Sequence, residues 1–274
     1  MGTGCRRAIL FLLFSPLFGT GFAQTETPVK VDKPLKSYSH WYFGAEYGVP
    51  FLFGDFTSFS ADKNYVGSQF GGFAGYQVNS WIGIEASART GYTRMGAKSY
   101  AGDYLMNADG MTYYTNQDFN TWKYKDVFSK VHFTNIGLQM NLNVNNFFGP
   151  NRGNRRWTVL LSPAVYAQHF STELINKADK SPLSGKKTDK WNIGVGGDVS
   201  LRYKISRAFD VQLRTGIIWV NNNKMDGIST LIKSKDHFMT SAGLSLIWKV
   251  GKKKEDNVLY ASRRAADVEI RYIE

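Results

Sequence analysis

The sequence predicts an all-β fold: an eight-stranded antiparallel up-and-down transmembrane β-barrel. Three observations lead there. In Thr134 to Val144, Ile136, Leu138, Met140, Leu142 and Val144 alternate strictly with Asn135, Gly137, Gln139, Asn141 and Asn143. A period of two places the apolar side chains on one strand face and the amides on the other. The surrounding stretch, Val131 to Asn151, carries no formal charge, yet its interleaved amides would ring a helix with polar groups, so a spanning helix is a poor fit. Finally, the connections between strand candidates alternate short and long, as in barrels with tight turns on one side of a membrane and long loops on the other.

Taken in order, the first strand is expected at His40 to Phe53, with Trp41, Phe43, Ala45, Tyr47, Val49 and Phe51 on one face. The second runs from Tyr65 to Val78, with Val66, Phe70, Ala74 and Tyr76 outward and Gln69 and Gln77 inward. The third, Trp81 to Met95, sets Ile82, Ile84, Ala86, Ala88 and Tyr92 against Glu85, Ser87 and Arg89. The fourth is His132 to Asn145. The fifth, Arg156 to Gln168, faces Trp157, Val159, Leu161 and Val165 outward. The sixth, Trp191 to Lys204, sets Ile193, Val195, Val199, Leu201 and Tyr203 against Asn192, Asp198, Ser200 and Arg202. The seventh, Phe209 to Val220, sets Val211, Leu213, Ile217 and Trp219 against Gln212, Arg214 and Gly216. The eighth is Phe238 to Val250.

Short turns fall at Asn79-Ser80, at Ile205 to Ala208 and at the turn-rich Asn146 to Arg155. The longer connections are 54–64, 96–130, 169–190 and 221–237. An even strand count then puts both chain ends on the short-turn side. The aromatics Trp41, Tyr42, Tyr65, Trp81, Trp157, Trp191, Trp219, Phe238 and Trp248 gather near strand ends, where interfacial girdles sit.

The ends of the chain suggest export. Arg6 and Arg7 precede an apolar run, Ala8 to Phe18, and Gly21-Phe22-Ala23 offers small residues at the positions a signal peptidase reads. Residues 1–23 are thus expected to be a signal peptide, 24–38 a polar periplasmic lead, 39–250 the barrel and 251–274 a periplasmic tail. The chain's one cysteine, Cys5, lies in the signal, so disulfide and thiol chemistry are excluded from the mature protein. With 34 basic and 22 acidic residues the net charge is +12, or +10 once Arg6 and Arg7 are gone. In an exported protein such a charge points to anionic envelope partners, such as lipopolysaccharide phosphates or surface glycans, rather than nucleic acid.

The expected inner faces carry Glu46, Glu85 and Asp198 with Arg89, Arg202 and Arg214. Eight strands enclose a section just wide enough for side chains to fill, and an unpaired buried charge costs several kcal/mol. A paired network plugging the lumen follows. Alternation alone leaves open the inverse arrangement, a soluble barrel of lipocalin type with an apolar pocket.

On the last strand, Ser241-Ala242-Gly243-Leu244-Ser245-Leu246-Ile247-Trp248 resembles the β-signal by which the outer-membrane assembly machinery recognises a final strand, through Ser241, Gly243, Leu246 and Trp248. Over residues 39–250 the chain resembles the OmpA-like or OmpX-like family of small outer-membrane β-barrel proteins. That resemblance implies eight strands, outward loops, periplasmic turns and residence in the outer membrane of a Gram-negative bacterium. It implies no single activity, since such barrels include anchors, adhesins, resistance factors and a few lipid-modifying enzymes. The tail is too short for the peptidoglycan-binding domain of some members.

The expected function is non-enzymatic: envelope structure or surface interaction through loops 96–130 and 169–190. Tyr104, Tyr113, Tyr114, Trp122 and Tyr124 are candidates for recognising a glycan or protein. The alternative is that the loop aromatics pack on one another above the membrane, or that the loop adds a hairpin and makes ten strands. A small channel is a rival function. A lipid A deacylase is another, because His169-Phe170-Ser171 is similar to the His-x-Ser element of those enzymes, with Ser171 as nucleophile, His169 as base and Glu173 nearby. His40, His132 and His237 are scattered, so no metal site is expected, and no cofactor. Gly194, Gly196 and Gly197 lie inside an alternating strand and suggest a close-packed wall. Lys252-Lys253-Lys254 suits anionic headgroups, and Val268, Ile270 and Tyr272 alternate as a short docking strand would.

Overall fold

The computed structural model describes residues 38–97, 104–105, 122–148, 155–183, 188–220, 225–228, 237–252 and 256–261. The expected signal peptide, most of the lead, Tyr113, Tyr114 and the tail beyond residue 261 lie outside them. Eight long strands follow one another: β1 Trp41–Phe53, β2 Ser68–Gln77, β3 Ile82–Ala97, β4 Val127–Asn143, β5 Trp157–Asn176, β6 Thr188–Lys204, β7 Phe209–Val220 and β8 His237–Lys249. Each pairs antiparallel with its sequence neighbours, and β8 closes on β1 through Phe238↔Phe53 to Lys249↔Tyr42. The ring is an up-and-down barrel in which each strand is laddered to a neighbour on both sides, which removes the free edges of an open sheet; at the loop end the first residues of β6, before Gly194, pair with β5 alone. A two-residue strand, Phe56–Thr57, fills the wall between β1 and β3 above the short β2.

The polarity is inside out. Tyr47, Phe70, Ile84, Leu138, Val165, Ile193, Leu213 and Leu244 are exposed on the outer wall, Ile193 to 80%. Glu85, Gln139, Gln168, Asp210 and Gln212 are buried inside. A water-soluble barrel of lipocalin type needs the opposite distribution, so that alternative is ruled out, and the fold is that of a transmembrane barrel. Among the described residues no helix is long and apolar enough to cross a membrane.

The turn end is built by side chains that accept the backbone amides of the reversal. Asn79 Oδ1 accepts from Trp81 N at 2.9 Å and Ile82 N at 2.8 Å. Ser206 Oγ accepts from Phe209 N at 2.9 Å. Both are the local turn chemistry that Asn and Ser favour. Between β4 and β5 the chain first makes a helical turn, Val144–Phe148, which ends β4 two residues before the expected Asn145.

Four strands are longer than alternation predicts. β4 begins at Val127 rather than His132, β5 ends at Asn176 rather than Gln168, β6 begins at Thr188 and β3 ends at Ala97. The added parts reverse the pattern. In β5, Phe170, Thr172 and Leu174 are buried, while His169, Ser171 and Glu173 lie on the outer face. In β4, Val127, Val131 and Phe133 are buried while Lys130 and His132 face out. These segments stand above the apolar belt and wrap an ordinary hydrophobic core. It joins Leu52, Phe56, Met95, Phe133, Phe170, Ile218, Met225 and Met239, with Trp122 and Tyr124 packed against it. The expected loops 96–130 and 169–190 are correspondingly shorter.

Candidate functional site

The interior holds three layers. At mid-height lies the charge network, and all six residues expected there are buried. Arg214, from β7, donates from Nη2 to Glu85 Oε1 at 2.7 Å, and its Nη1 lies 3.5 Å from Glu46 and 3.7 Å from Asp198. Arg89, from β3, reaches Asp198 at 3.1 Å and Glu46 at 3.2 Å. Glu85 also accepts from Tyr42 Oη at 2.9 Å, Gln139 Nε2 at 2.9 Å and Asn141 Nδ2 at 3.1 Å. The strands set these positions at matching heights. In the ladder Glu85 stands opposite Gln139 and Gly75, and the open space at Gly75 is taken by the Tyr42 ring. Likewise Gly216 stands opposite Asp198, and a methyl there would run into that carboxylate. Arg202 sits slightly apart: its Nε donates to Gln212 Oε1 at 2.8 Å and its guanidinium lies 4.8 Å from the Tyr42 ring centre.

Toward the turn end is a second, smaller set that sequence reasoning missed. Lys249 Nζ donates to Asp210 Oδ1 at 2.5 Å, both buried, and Tyr260 Oη donates to Asp210 Oδ2 at 2.7 Å. Tyr260 belongs to the tail. Asp256–Asn257 pairs parallel with Tyr38–Ser39, and the helical turn Val258–Tyr260 then inserts Leu259 and Tyr260 against Leu160. Lys204 and Lys249 each lie 4.8 Å from the Tyr260 ring centre. Burial, followed by the Asp210 charge, raises the Tyr260 phenol above its ordinary range. This part of the tail packs into the turn end of the barrel, over the Asp210–Lys249 pair. Inside the lumen the acids Glu46, Glu85, Asp198 and Asp210 therefore face the bases Arg89, Arg202, Arg214 and Lys249.

At the loop end the apolar core forms the third layer. Tyr104 is exposed, with Lys123 Nζ 5.4 Å from its ring centre. Trp122 and Tyr124 instead pack on the core, Tyr124 edge-on to Phe56 at 5.4 Å. Of the described loop candidates, only Tyr104 is presented as a recognition residue would be. Above the core lies a cluster that the scattered histidines did not announce. Asp226, fully buried, accepts from Asp55 N at 3.0 Å and Phe56 N at 3.2 Å on Oδ2, and from Ile228 N at 3.1 Å on Oδ1. His237 Nε2, also buried, lies 3.5 Å from Asp226 Oδ2. Burial, then the Asp55 charge, pushes the Asp226 carboxyl up to about 7, against the backbone hydrogen bonds. His237 is therefore not an isolated rim histidine.

The outer wall carries the remaining candidates. His169 and Ser171 are on strand β5, not in a loop, and both face outward. His169 Nε2 pairs with Asp189 Oδ1 of β6 at 2.5 Å, and Ser171 stands opposite Asp189 on one side and His132 on the other. The carboxylate beside His169 is thus Asp189 rather than Glu173, which is opposite Lys130. Leu246 and Trp248 face outward on β8 and Gly243 faces in, where added bulk would meet Glu46 at 3.2 Å. Trp41, Trp157 and Trp248 are exposed near the turn end and Trp191 and Trp219 near the loop end. Tyr42, expected in the girdle, points into the lumen instead. It follows Trp41 on the same strand, and alternation allows only one of the two to face out. Tyr65, also expected there, is buried against Phe128 above the belt.

No protein-family model matches the chain, and no curated protein matches it. Solved structures similar to it include Ail, the attachment invasion locus protein of Yersinia pestis, at 10% identity and TM-score 0.42, covering 78% of this chain and 100% of that one. A major outer membrane protein from Thermus thermophilus gives 13% identity and TM-score 0.43 over 76% and 99% of the two chains. Neisserial surface protein A gives 13% and 0.39 over 75% and 95%. Likeness at this level says nothing about activity.

Proposed function

We propose that this chain is an integral outer-membrane protein of a Gram-negative envelope, a non-conducting and non-enzymatic barrel that anchors its loop-end surface to the cell exterior. The observation that carries this reading is the inside-out wall. An apolar belt bounded by exposed tryptophans suits a bilayer, and a lumen packed with paired charges and capped by the tail suits an anchor better than a pore. Lipopolysaccharide is the natural neighbour of the outer rim, where Arg94 and Lys130 are cross-strand partners facing outward. Ser241, Gly243, Leu246 and Trp248 would serve the assembly machinery, and Tyr104 with Lys123 would offer a first contact for a glycan or protein. The test combines carbonate extraction and heat-modifiable migration of outer-membrane protein with single-channel recording in planar bilayers. A carbonate-resistant, heat-modifiable protein without conductance steps is expected. Sustained steps would make it a channel, and periplasmic solubility would end the membrane reading.

A second reading, hydrolysis of an acyl ester in outer-leaflet lipid, is favoured by one observation: the Asp189 carboxylate pairs with His169, two residues from Ser171, on the outward face of β5 just above the apolar belt. An unchanged lipid A profile in cells carrying Ser171→Ala, compared with cells lacking the protein and wild type, would remove it.

A further inference from the structure

We infer that Asp55, Asp226 and His237 form a binding site for one divalent transition-metal ion of the zinc class at the loop-end mouth. Their candidate ligand atoms, one per residue, all lie within 4.8 Å of one another. The 3.5 Å between His237 Nε2 and Asp226 Oδ2 is long for a hydrogen bond, yet it is the edge expected between two ligands each about 2.1 Å from a shared ion. One imidazole and two carboxylates is a borderline donor set that suits zinc better than calcium, which takes oxygen alone. Asp226 and His237 have no solvent exposure, and buried charged groups of this kind are stabilised by coordinating a metal ion.

Two further features point to a built site. The backbone amides of Asp55, Phe56 and Ile228 fix the Asp226 carboxylate, as outer hydrogen bonds fix a metal's ligands. Independently, Gly54 leaves open the space beside the ligand atoms: a Cβ there would stand 2.7 Å from His237 Nε2 and 3.0 Å from Asp226 Oδ2. Thr172 Oγ1 donates to Met225 O at 2.7 Å and holds the Asp226 segment against β5. The three ligands come from the β1–β2 connection, the β7–β8 connection and the first residue of β8. An ion shared by them staples the seam where the last strand meets the first, because the next ladder pair is Phe238↔Phe53.

The test uses untagged full-length mature protein, refolded in detergent, stripped with EDTA and titrated with zinc by calorimetry. The temperature at which the compact gel band is lost is followed in parallel. One zinc per chain and an upward shift of that temperature are expected. His237→Ala and Asp226→Asn should weaken binding at least tenfold while the unboiled protein still migrates as the compact form. Should either fail to fold, Gly54→Ala, which removes no ligand, and Asp55→Asn carry the same expectation. His132→Ala and His169→Ala, on the outer wall, should bind as wild type does. Absence of stoichiometric zinc binding overturns the site. So does binding that survives Gly54→Ala and Asp55→Asn, binding lost with His132 or His169, or calcium competing on equal terms.

Discussion

Arg214 is the residue on which most of the lumen's charge balance converges, since its guanidinium faces Glu85, Glu46 and Asp198 at once. Replacing it with methionine keeps much of the volume but leaves three buried carboxylates to Arg89 and Arg202. Breaking a buried ionic set by removing one partner costs about 3–5 kcal/mol, and Arg214→Met should destabilise the refolded barrel by that order in urea titrations followed by tryptophan fluorescence. Adding Glu85→Gln removes one orphaned charge and should recover part of the loss. The six mid-height charges were legible because each sits on the inner side of a clean alternation. Tyr42, Asp210 and Lys249 were not, because aromatic and strand-end residues have two plausible destinations and alternation does not say which end of a strand stays in the wall. The Asp55, Asp226 and His237 cluster was invisible for a different reason: Asp55 lies 171 residues before Asp226 in sequence, and only closure of the barrel brings it to the other two.

The same logic explains which elements were found and where they end. All eight strands carry the outward apolar pattern, and for β7 the predicted bounds and the structure agree. Strand ends were misplaced where the environment changes from lipid to water. Beyond Gln168 the chain stays extended, but Phe170 and Leu174 now belong inside and His169 and Glu173 outside. The pattern inverts rather than stops, so a rule that looks for apolar residues outside ends the strand too early. Above the belt, loops are held by polar contacts such as Lys177 Nζ to Asp62 Oδ2 at 2.5 Å. Asp62 is held below its ordinary carboxylate range: its partial burial opposes ionisation, but hydrogen bonds from Lys177 and Ser60 and the Lys177 charge outweigh it. A depressed folded pKa stabilises above the unfolded value and is lost as pH falls through the folded one. Protease cleavage within 54–67 should therefore rise as the pH drops below about 4, and Asp62→Asn should be more readily cleaved than wild type at neutral pH and show no such rise. At the other end, the tail segment docks into the turn end through Leu259 and Tyr260. Thr158 is buried there beside Leu259 and Tyr260, and no cysteine is expected in the mature chain. A Thr158→Cys variant should react slowly with a membrane-impermeant thiol reagent, and much faster once the chain is truncated after residue 255. Equal rates in both would mean that the tail does not seal that end.

For the molecule as a whole, the three layers are in series, and a path for ions must cross all of them. The tail packs over the Asp210–Lys249 pair, the Arg214 network occupies the middle, and the apolar core around Phe133, Phe170 and Met239 lies toward the loop end. Their physics differs. The tail is a docked segment of a few residues and undocks locally at small cost. The network resists because its charges are matched, and the apolar core resists because each large side chain exposed costs about 1.5–3 kcal/mol. Truncation after residue 255 should therefore expose the turn-end mouth to reagents without producing conductance in planar bilayers. Adding Arg214→Ala to the truncation should still yield no sustained steps, because the loop-end core remains. Only when bulk is also removed from that core, as in Phe133→Ala with Phe170→Ala, should brief openings appear, and heat-modifiable migration would confirm that the barrel is still closed. Steady conductance from the tail truncation alone would place the whole barrier in the tail, and the barrel would then be a gated pore rather than an anchor.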